Sequence, residues 1–190
     1  PRLAIALNAP LNAAQPGPGW QGHLQLDYSR RGDRTIALDR HHGPLRVLQR
    51  LYPEGETVCH QVLVHPPGGI VGGDVLGLDA TLAPGSHALI TTPGATKFYR
   101  SAGPLALQRV HADLAPGARL EWLPLETIAY NRCNAQNRLR FTLAPGARGQ
   151  FLAADHTTEW GHHVVNGATD VQFGPGQIIS VALLLASGGQ

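Results

Sequence analysis

The chain has 190 residues, and glycine and proline together occupy one fifth of them, with 23 and 15 residues. This share is well above the roughly 12 % that is usual for the two residues combined, and it excludes a bundle of long helices. Hydrophobic residues make up 43 % and charged residues 15 % of the chain, with a formal net charge of +2. Such a composition supports a sizeable buried core and excludes a disordered chain.

The positive charge is scattered along the chain. Fourteen of the 15 cationic residues are arginines, and Lys97 is the only lysine. Because there is no basic run with interleaved aromatic residues, nucleic acid is not an expected partner. Arginine without lysine suits pairing with carboxylates at a protein interface, although a GC-rich coding bias would give the same composition.

Cysteine use and hydropathy indicate the compartment. Cys59 and Cys133 are the only cysteines, and they form no Cys-x-x-Cys pair, which predicts a reducing, cytoplasmic setting. No signal peptide is recognisable, and no apolar run is long enough to span a bilayer, so no membrane partner is expected. Methionine is absent even at position 1, which predicts a fragment or a processed form.

A recurring turn organises the chain after its first residues. Residues 1–20 are rich in proline and predict a loosely ordered N-terminal arm, followed by a single β domain over 21–190. Within that domain, glycines that follow proline in turn sequences recur about every 30 residues, at Gly55, Gly85, Gly117, Gly146 and Gly176. Proline presets the first φ of a type II turn and glycine takes the positive φ that follows.

Short runs of β-branched and aliphatic residues flank these turns and predict strands. They lie at 58–64, 87–92, 118–123, 138–143 and 177–185. The segment 127–136 is the main helix candidate, with one or two turns. We therefore predict an all-β fold of stacked, solenoid-like or layered sheets with about 30-residue repeats and at most two short helices. A conventional β-sandwich is the alternative.

Three segments between the turns have unusual chemistry. The first, residues 65–74, reads HPPGGIVGGD and is called the glycine loop below. Its two glycine pairs predict backbone conformations closed to other residues. Its spacing fits no known phosphate-binding loop. It is either a tight double turn at a sheet corner or a surface where a partner or an ion reaches the backbone and Asp74.

The second segment, residues 91–101, is called the threonine loop and reads TTPGATKFYRS. Its hydroxyls, Lys97 and Arg100 could bind an anion, or the loop could be a solvated hairpin tip. The third, residues 120–128, is called the tryptophan segment and carries Glu121 and Glu126. Pro124 interrupts its strand, so the separation of the two carboxylates is open.

Metal and catalytic signatures are weak. His-Glu-x-x-His and zinc-finger patterns are absent, as are nucleophile motifs, so an enzyme is not expected. A carbohydrate-active β-solenoid enzyme remains an alternative, with Glu121 and Glu126, or Asp74 and Asp79, as the carboxylate pair. The weak metal candidates are Cys59, His60, His65, His156, His162 and His163.

Read together and in order, the segments resemble the urease accessory protein family UreD, also called UreH. The resemblance is carried by GPLRV at 43–47, LYPEG at 51–55, the glycine loop, the threonine loop and the tryptophan segment. It covers roughly residues 24–152. The family usually has glutamine where Leu125 stands, and the C-terminal part from about residue 152 is divergent or truncated.

The resemblance implies a stacked β fold with two short helices and a non-catalytic role. Family members act as scaffolds that bind apo-urease and UreF, recruit the GTPase UreG through UreF, and pass nickel transiently to the urease active site, with no tightly bound cofactor. The implied tunnel residues are Asp74, Thr91, Thr92, Ser101, Glu121 and Glu126. The implied docking residues are Lys97, Tyr99 and Arg100. A metal-free interaction module is the remaining alternative.

Overall fold

The computed structural model describes residues 19–152 in full and the backbone of strand residues 2–5, 153–158, 166–173 and 177–188. The described residues form β-strands and no helix, which confirms the predicted all-β class. In chain order the strands are β1 Arg2–Ile5, β2 Gln21–Arg31, β3 Arg34–His42, β4 Arg46–Val47, β5 Val58–Val64, β6 Val75–Leu82, β7 His87–Thr91, β8 Thr96–Phe98, β9 Ala106–Leu114, β10 Arg119–Leu123, β11 Thr127–Ala129, β12 Asn134–Leu143, β13 Arg148–Thr158, β14 Asn166–Phe173 and β15 Gln177–Gly188.

The strands form two sheets. One has the order β1-β14-β12-β9-β6-β2-β3, and the other has the order β4-β5-β7-β10-β13-β11-β8, with β15 also paired to β13. Most neighbours are parallel. The chain passes from the first sheet to the second between β6 and β7, between β9 and β10, and between β12 and β13. Successive strands within each sheet, such as β6, β9 and β12, therefore lie side by side and run in the same direction.

Predicted turns connect the strands of the first sheet to those of the second. Ser86 donates its amide hydrogen to the Ala83 carbonyl at 3.1 Å, and Ala118 and Ala147 bond Ala115 and Ala144 in the same way. The turn glycines at 55, 85, 117 and 146 have φ between 71° and 93°, as a type II turn requires. Gly176 lies outside the described residues.

The core lies between the two sheets and follows the alternation of the strands. Leu24, Leu26 and Tyr28 of β2 are buried, and the residues between them are partly exposed. From the facing strands, Phe141 stacks on Phe151 with ring centroids 4.0 Å apart. One continuous apolar cluster joins the sheets and gives the loops at the strand ends a rigid base.

The helix candidate at 127–136 is wrong. The segment forms β11, then a turn in which Cys133 donates its amide hydrogen to the Tyr130 carbonyl at 3.0 Å, and then the start of β12. Arg132 has φ 62°, which an α-helix does not allow. Pairing of β11 with β8 and β13 overrides the local helical tendency.

No helix among the described residues has the length and apolar character needed to cross a bilayer. Residues 1–20 were predicted to be an arm, and Arg2–Ile5 within them pairs antiparallel with β14. The division into an arm and one domain, with a divergent C-terminal part, stays a prediction.

Candidate functional site

The glycine loop and the threonine loop pack on each other at the end of the sheets. Ile70 forms a parallel bridge with Phe98. Its amide donates to the Lys97 carbonyl at 2.7 Å, and the Tyr99 amide donates to the Ile70 carbonyl at 2.9 Å. Ile70 and Phe98 are both buried, so the two loops form one packed unit.

The glycines permit this close packing. A Cβ atom at Gly69 would lie 2.0 Å from Cε2 of Tyr99, and one at Gly72 would lie 2.2 Å from Oγ of Ser101. Real Cβ contacts are much longer, so any side chain at either position would displace its neighbour. In the structure, the backbone of the glycine loop is closely approached by the threonine loop of the same chain.

Asp74 holds the glycine loop to the start of β2. Its Oδ1 accepts a hydrogen bond from the Trp20 amide at 2.8 Å, and its Oδ2 accepts one from the Val71 amide at 3.0 Å. The residue is only 6 % exposed. Each carboxylate oxygen thus has a backbone donor, and this arrangement suits a buried charge.

The threonine loop is joined in turn to the tryptophan segment. Thr91 donates its hydroxyl hydrogen to the Leu123 carbonyl at 2.7 Å, and the Thr92 hydroxyl accepts the Leu125 amide at 2.9 Å. The Thr96 amide donates to the Glu126 carbonyl at 2.9 Å. The three motif segments therefore converge at one end of the two sheets.

A cavity of about 280 Å³ opens between the glycine loop and the threonine loop, and no residue of the tryptophan segment lines it. Three residues singled out from the sequence line it: His65, Thr92 and Lys97. Burial lowers the pKa of His65, and the nearby Asp74 carboxylate partly opposes this effect. Burial therefore favours the neutral imidazole of His65, the form that binds metal ions.

Two further polar residues line the same cavity: Thr96, which belongs to the threonine loop, and Gln108, which sequence reasoning missed. Gln108 lies on β9 at the parity of the buried residues Ala106 and Val110, and its amide donates to Oδ1 of Asn137 on β12 at 3.3 Å. Gln108 could have been identified from the sequence as a polar residue at an inward-facing position of a strand.

Several other predicted residues lie away from the cavity lining. Glu121 is on the outer face of β10, where its Oε1 is 2.8 Å from Nε2 of His87 and 3.3 Å from the Arg119 guanidinium. Ser101 donates its hydroxyl hydrogen to the Pro104 carbonyl at 2.6 Å. The Glu126 side chain is half-buried.

The two remaining docking candidates are exposed. Tyr99 is 40 % exposed, and its ring stacks on Tyr130 at a centroid distance of 5.3 Å. Arg100 follows it on the surface. The Tyr99 ring lies against Gly69 of the glycine loop.

The weak metal candidates do not come together in the described part of the chain. Cys59 is a buried free thiol whose pKa is raised by burial, and His60 is 2.8 Å from a carboxylate oxygen of Glu54. Within residues 19–152, no three His, Cys, Asp or Glu side chains are arranged to hold a metal ion. His162 and His163 lie outside the described residues, as does the side chain of His156.

Three of the four carboxylates named for the enzyme alternative have other partners. Asp74 accepts backbone amides, as described above, and Oδ2 of Asp79 is 2.6 Å from Nε2 of His23. Glu121 is bound to His87 and Arg119. Of the four carboxylates, neither Asp74 nor Glu126 makes an ion pair with a described residue.

The described residues define an all-β protein whose three motif segments form one packed unit, with a small and largely apolar cavity between the glycine loop and the threonine loop. The model of the UreD urease accessory protein family matches residues 21–159. The chain belongs to this family, as the sequence resemblance predicted.

The chain is similar to urease accessory protein UreD of Leptothrix cholodnii, with 72 % identity over 130 residues that cover 67 % of this chain and 47 % of that protein. It is also similar to UreD of Verminephrobacter eiseniae, with 63 % identity over 138 residues that cover 73 % of this chain and 49 % of that protein. The chain spans about half the length of the curated relatives it matches.

Proposed function

We propose that this protein serves urease maturation in the cytoplasm as a non-catalytic scaffold. It binds apo-urease and UreF, and through UreF it recruits the GTPase UreG. Membership of the UreD family supports this role. The observation that carries it is the convergence of all three motif segments at one end of the sheets, because a continuous surface there can serve a large protein partner.

The docking surface includes Tyr99 and Arg100. Tyrosine and arginine are enriched at interfaces, since both combine apolar area with hydrogen-bonding groups. Tyr99 is held by the Tyr130 ring and by the backbone of Gly69, so little side-chain entropy would be lost when a partner binds.

Nickel is a transient cargo on this proposal, and the cavity is its route. The His65 imidazole is the strongest nickel ligand among the lining residues, and the Thr92, Thr96 and Gln108 side chains offer weaker oxygen ligands. The Gln108 and Asn137 amides extend this small set of polar groups toward the space between the sheets. A single imidazole with weak oxygen ligands would bind nickel and release it.

Co-purification tests the scaffold role. The tagged chain, co-expressed with the urease subunits and UreF, is expected to recover both partners. Arg100→Glu should weaken recovery by about tenfold, because it reverses the charge of an exposed residue of the docking surface. The matched control is Arg138→Glu, which makes the same change at an exposed arginine of β12 in the other sheet. Recovery of neither partner, or equal loss in both variants, would contradict the proposal.

A further inference from the structure

A second polar groove, of about 330 Å³, lies at the opposite end of the strands from the motif segments. It lies along the turns that precede β7, β10 and β13, whereas the threonine loop begins at the last residue of β7 and the tryptophan segment runs from β10 into β11. Its charged lining residues are Arg30, Arg119 and Arg148. We call it the arginine groove. None of its described lining residues is acidic.

The register of the sheet brings two of these arginines side by side. Arg119 of β10 is directly opposite Arg148 of β13, and neighbouring strands are about 4.8 Å apart. Like charges directly opposite each other destabilise a sheet unless an anion lies between them. The groove therefore carries a local excess of positive charge that a bound anion would neutralise.

The local carboxylates leave much of this charge uncompensated. Glu121 is 3.3 Å from the Arg119 guanidinium but is also bonded to His87, and Nε of Arg119 is buried without a hydrogen-bond partner among the described residues. Arg148 makes no ion pair with any residue in the described part of the chain. Arg30 is bound to Asp33 at 3.2 Å, but that carboxylate is 99 % exposed.

His87 also lines the groove. Burial lowers its pKa, and its hydrogen bond to Glu121 and the Glu54 carboxylate oppose this while the Arg119 charge adds to it. The arginines, which stay charged at all physiological pH values, therefore provide the positive charge of the groove.

The floor of the groove is backbone. Gly85, Gly117 and Gly146 are stacked so that a Cβ atom on each of the later two would lie 3.8 Å from the amide nitrogen of the preceding glycine. None of the three glycine amides donates a hydrogen bond to another described residue. A ligand in the groove can therefore contact the guanidinium groups of the arginines and also the backbone amides of these glycines.

We propose that the arginine groove binds an acidic segment of a partner protein, whose carboxylates pair with Arg30, Arg119 and Arg148. Guanidinium groups bind carboxylates in two-pronged pairs, and three of them along one groove match carboxylates carried in series on a chain. The groove is open and lacks aromatic lining residues, so it does not favour a nucleobase. The inference is independent of nickel and of the motif segments.

Fluorescence anisotropy with a fluorescein-labelled hexaglutamate peptide tests the proposal directly. The intact chain should bind this peptide at low salt and should not bind the matched hexaglutamine peptide. Arg148→Gln should weaken binding by about tenfold, and Arg30→Gln, a second exposed position, should also weaken it. Binding should decline as salt rises.

Arg138→Gln is the matched control. Arg138 is exposed and directly opposite Arg109 on β9 and Asp170 on β14. It lies in the other sheet and does not line the groove, so its replacement should leave binding unchanged. No binding of hexaglutamate, or an equal loss in Arg138→Gln, would overturn the proposal. Competition by citrate or pyrophosphate at concentrations as low as those of the peptide would also overturn it and would assign the groove to a small anion.

Discussion

The aromatic ring of Tyr99 occupies the space that a side chain at Gly69 would need. A Cβ atom at Gly69 would lie 2.0 Å from the ring. The Tyr99 ring also stacks on the Tyr130 ring, with centroids 5.3 Å apart. The second glycine pair has the same relationship with Ser101 through Gly72. Two motifs that are separate in the sequence are therefore parts of one structural unit.

Gly69→Ala is expected to lower the free energy of unfolding by about 1–3 kcal/mol, because the added methyl group forces the Tyr99 ring away from Tyr130. Gly94→Ala, in the neighbouring threonine loop, is the control, since a Cβ atom there meets nothing within 4 Å. Urea unfolding measures both. Combining Gly69→Ala with Tyr99→Ala should recover part of the loss, and equal stability of the two single variants would contradict the packing argument.

Asp74→Ala is expected to destabilise the fold by about 1–3 kcal/mol, because it leaves the amides of Trp20 and Val71 without their acceptors in a buried position. Asp33→Ala is the control, since that carboxylate is 99 % exposed. Thermal unfolding followed by circular dichroism compares them. If Asp74→Ala keeps normal stability but abolishes urease activation, Asp74 acts on nickel or a partner and its role is not mainly structural.

The pH dependence of stability should report on His65. Burial lowers its pKa in the folded state, so between the folded value and the ordinary value near 6.5 the unfolded chain binds more protons. This contribution to stability is therefore present above pH 6.5 and is lost as the pH falls through the folded pKa. His65→Gln should flatten this part of the profile, and the exposed His42→Gln should not. Parallel profiles for His65→Gln and the unmodified chain would contradict the assignment.

The turns and several of the strands could be predicted from the sequence because local residue preferences agree with the tertiary structure there. The glycine at position 117 follows proline, takes a positive φ, and leads directly into β10. The helix predicted at 127–136 was wrong because strand pairing between distant segments determines the structure there. In β11, Ile128 pairs with Lys97 on one side and His156 on the other. No local pattern in 127–136 indicates this pairing. Residues at a distance along the chain determine the structure there.

The site was less predictable than the fold for the same reason. Glu121 and Glu126 are five residues apart, yet Glu121 pairs with His87 on the outer face of the sheet while the Glu126 backbone binds the threonine loop. His65 and Gln108 are 43 positions apart, yet they line one cavity. Only the register between β6 and β9 and the packing of the glycine loop bring these two together.

The charge of Lys97 gives a direct test of the nickel route. Lys97 and His65 line the same cavity, so the ammonium group repels a divalent cation bound at the imidazole and shortens its stay. Lys97→Met is expected to strengthen nickel binding by about tenfold, as measured by isothermal titration calorimetry, while Lys97→Arg should change it little. The double variant His65→Ala, Lys97→Met should lose the gain, because the imidazole is the ligand that the charge opposes. Identical affinities in all four proteins would place any nickel binding outside this cavity. A gain in Lys97→Met that slows urease activation would indicate that the lysine promotes release of the metal, since a transfer protein must not hold its cargo.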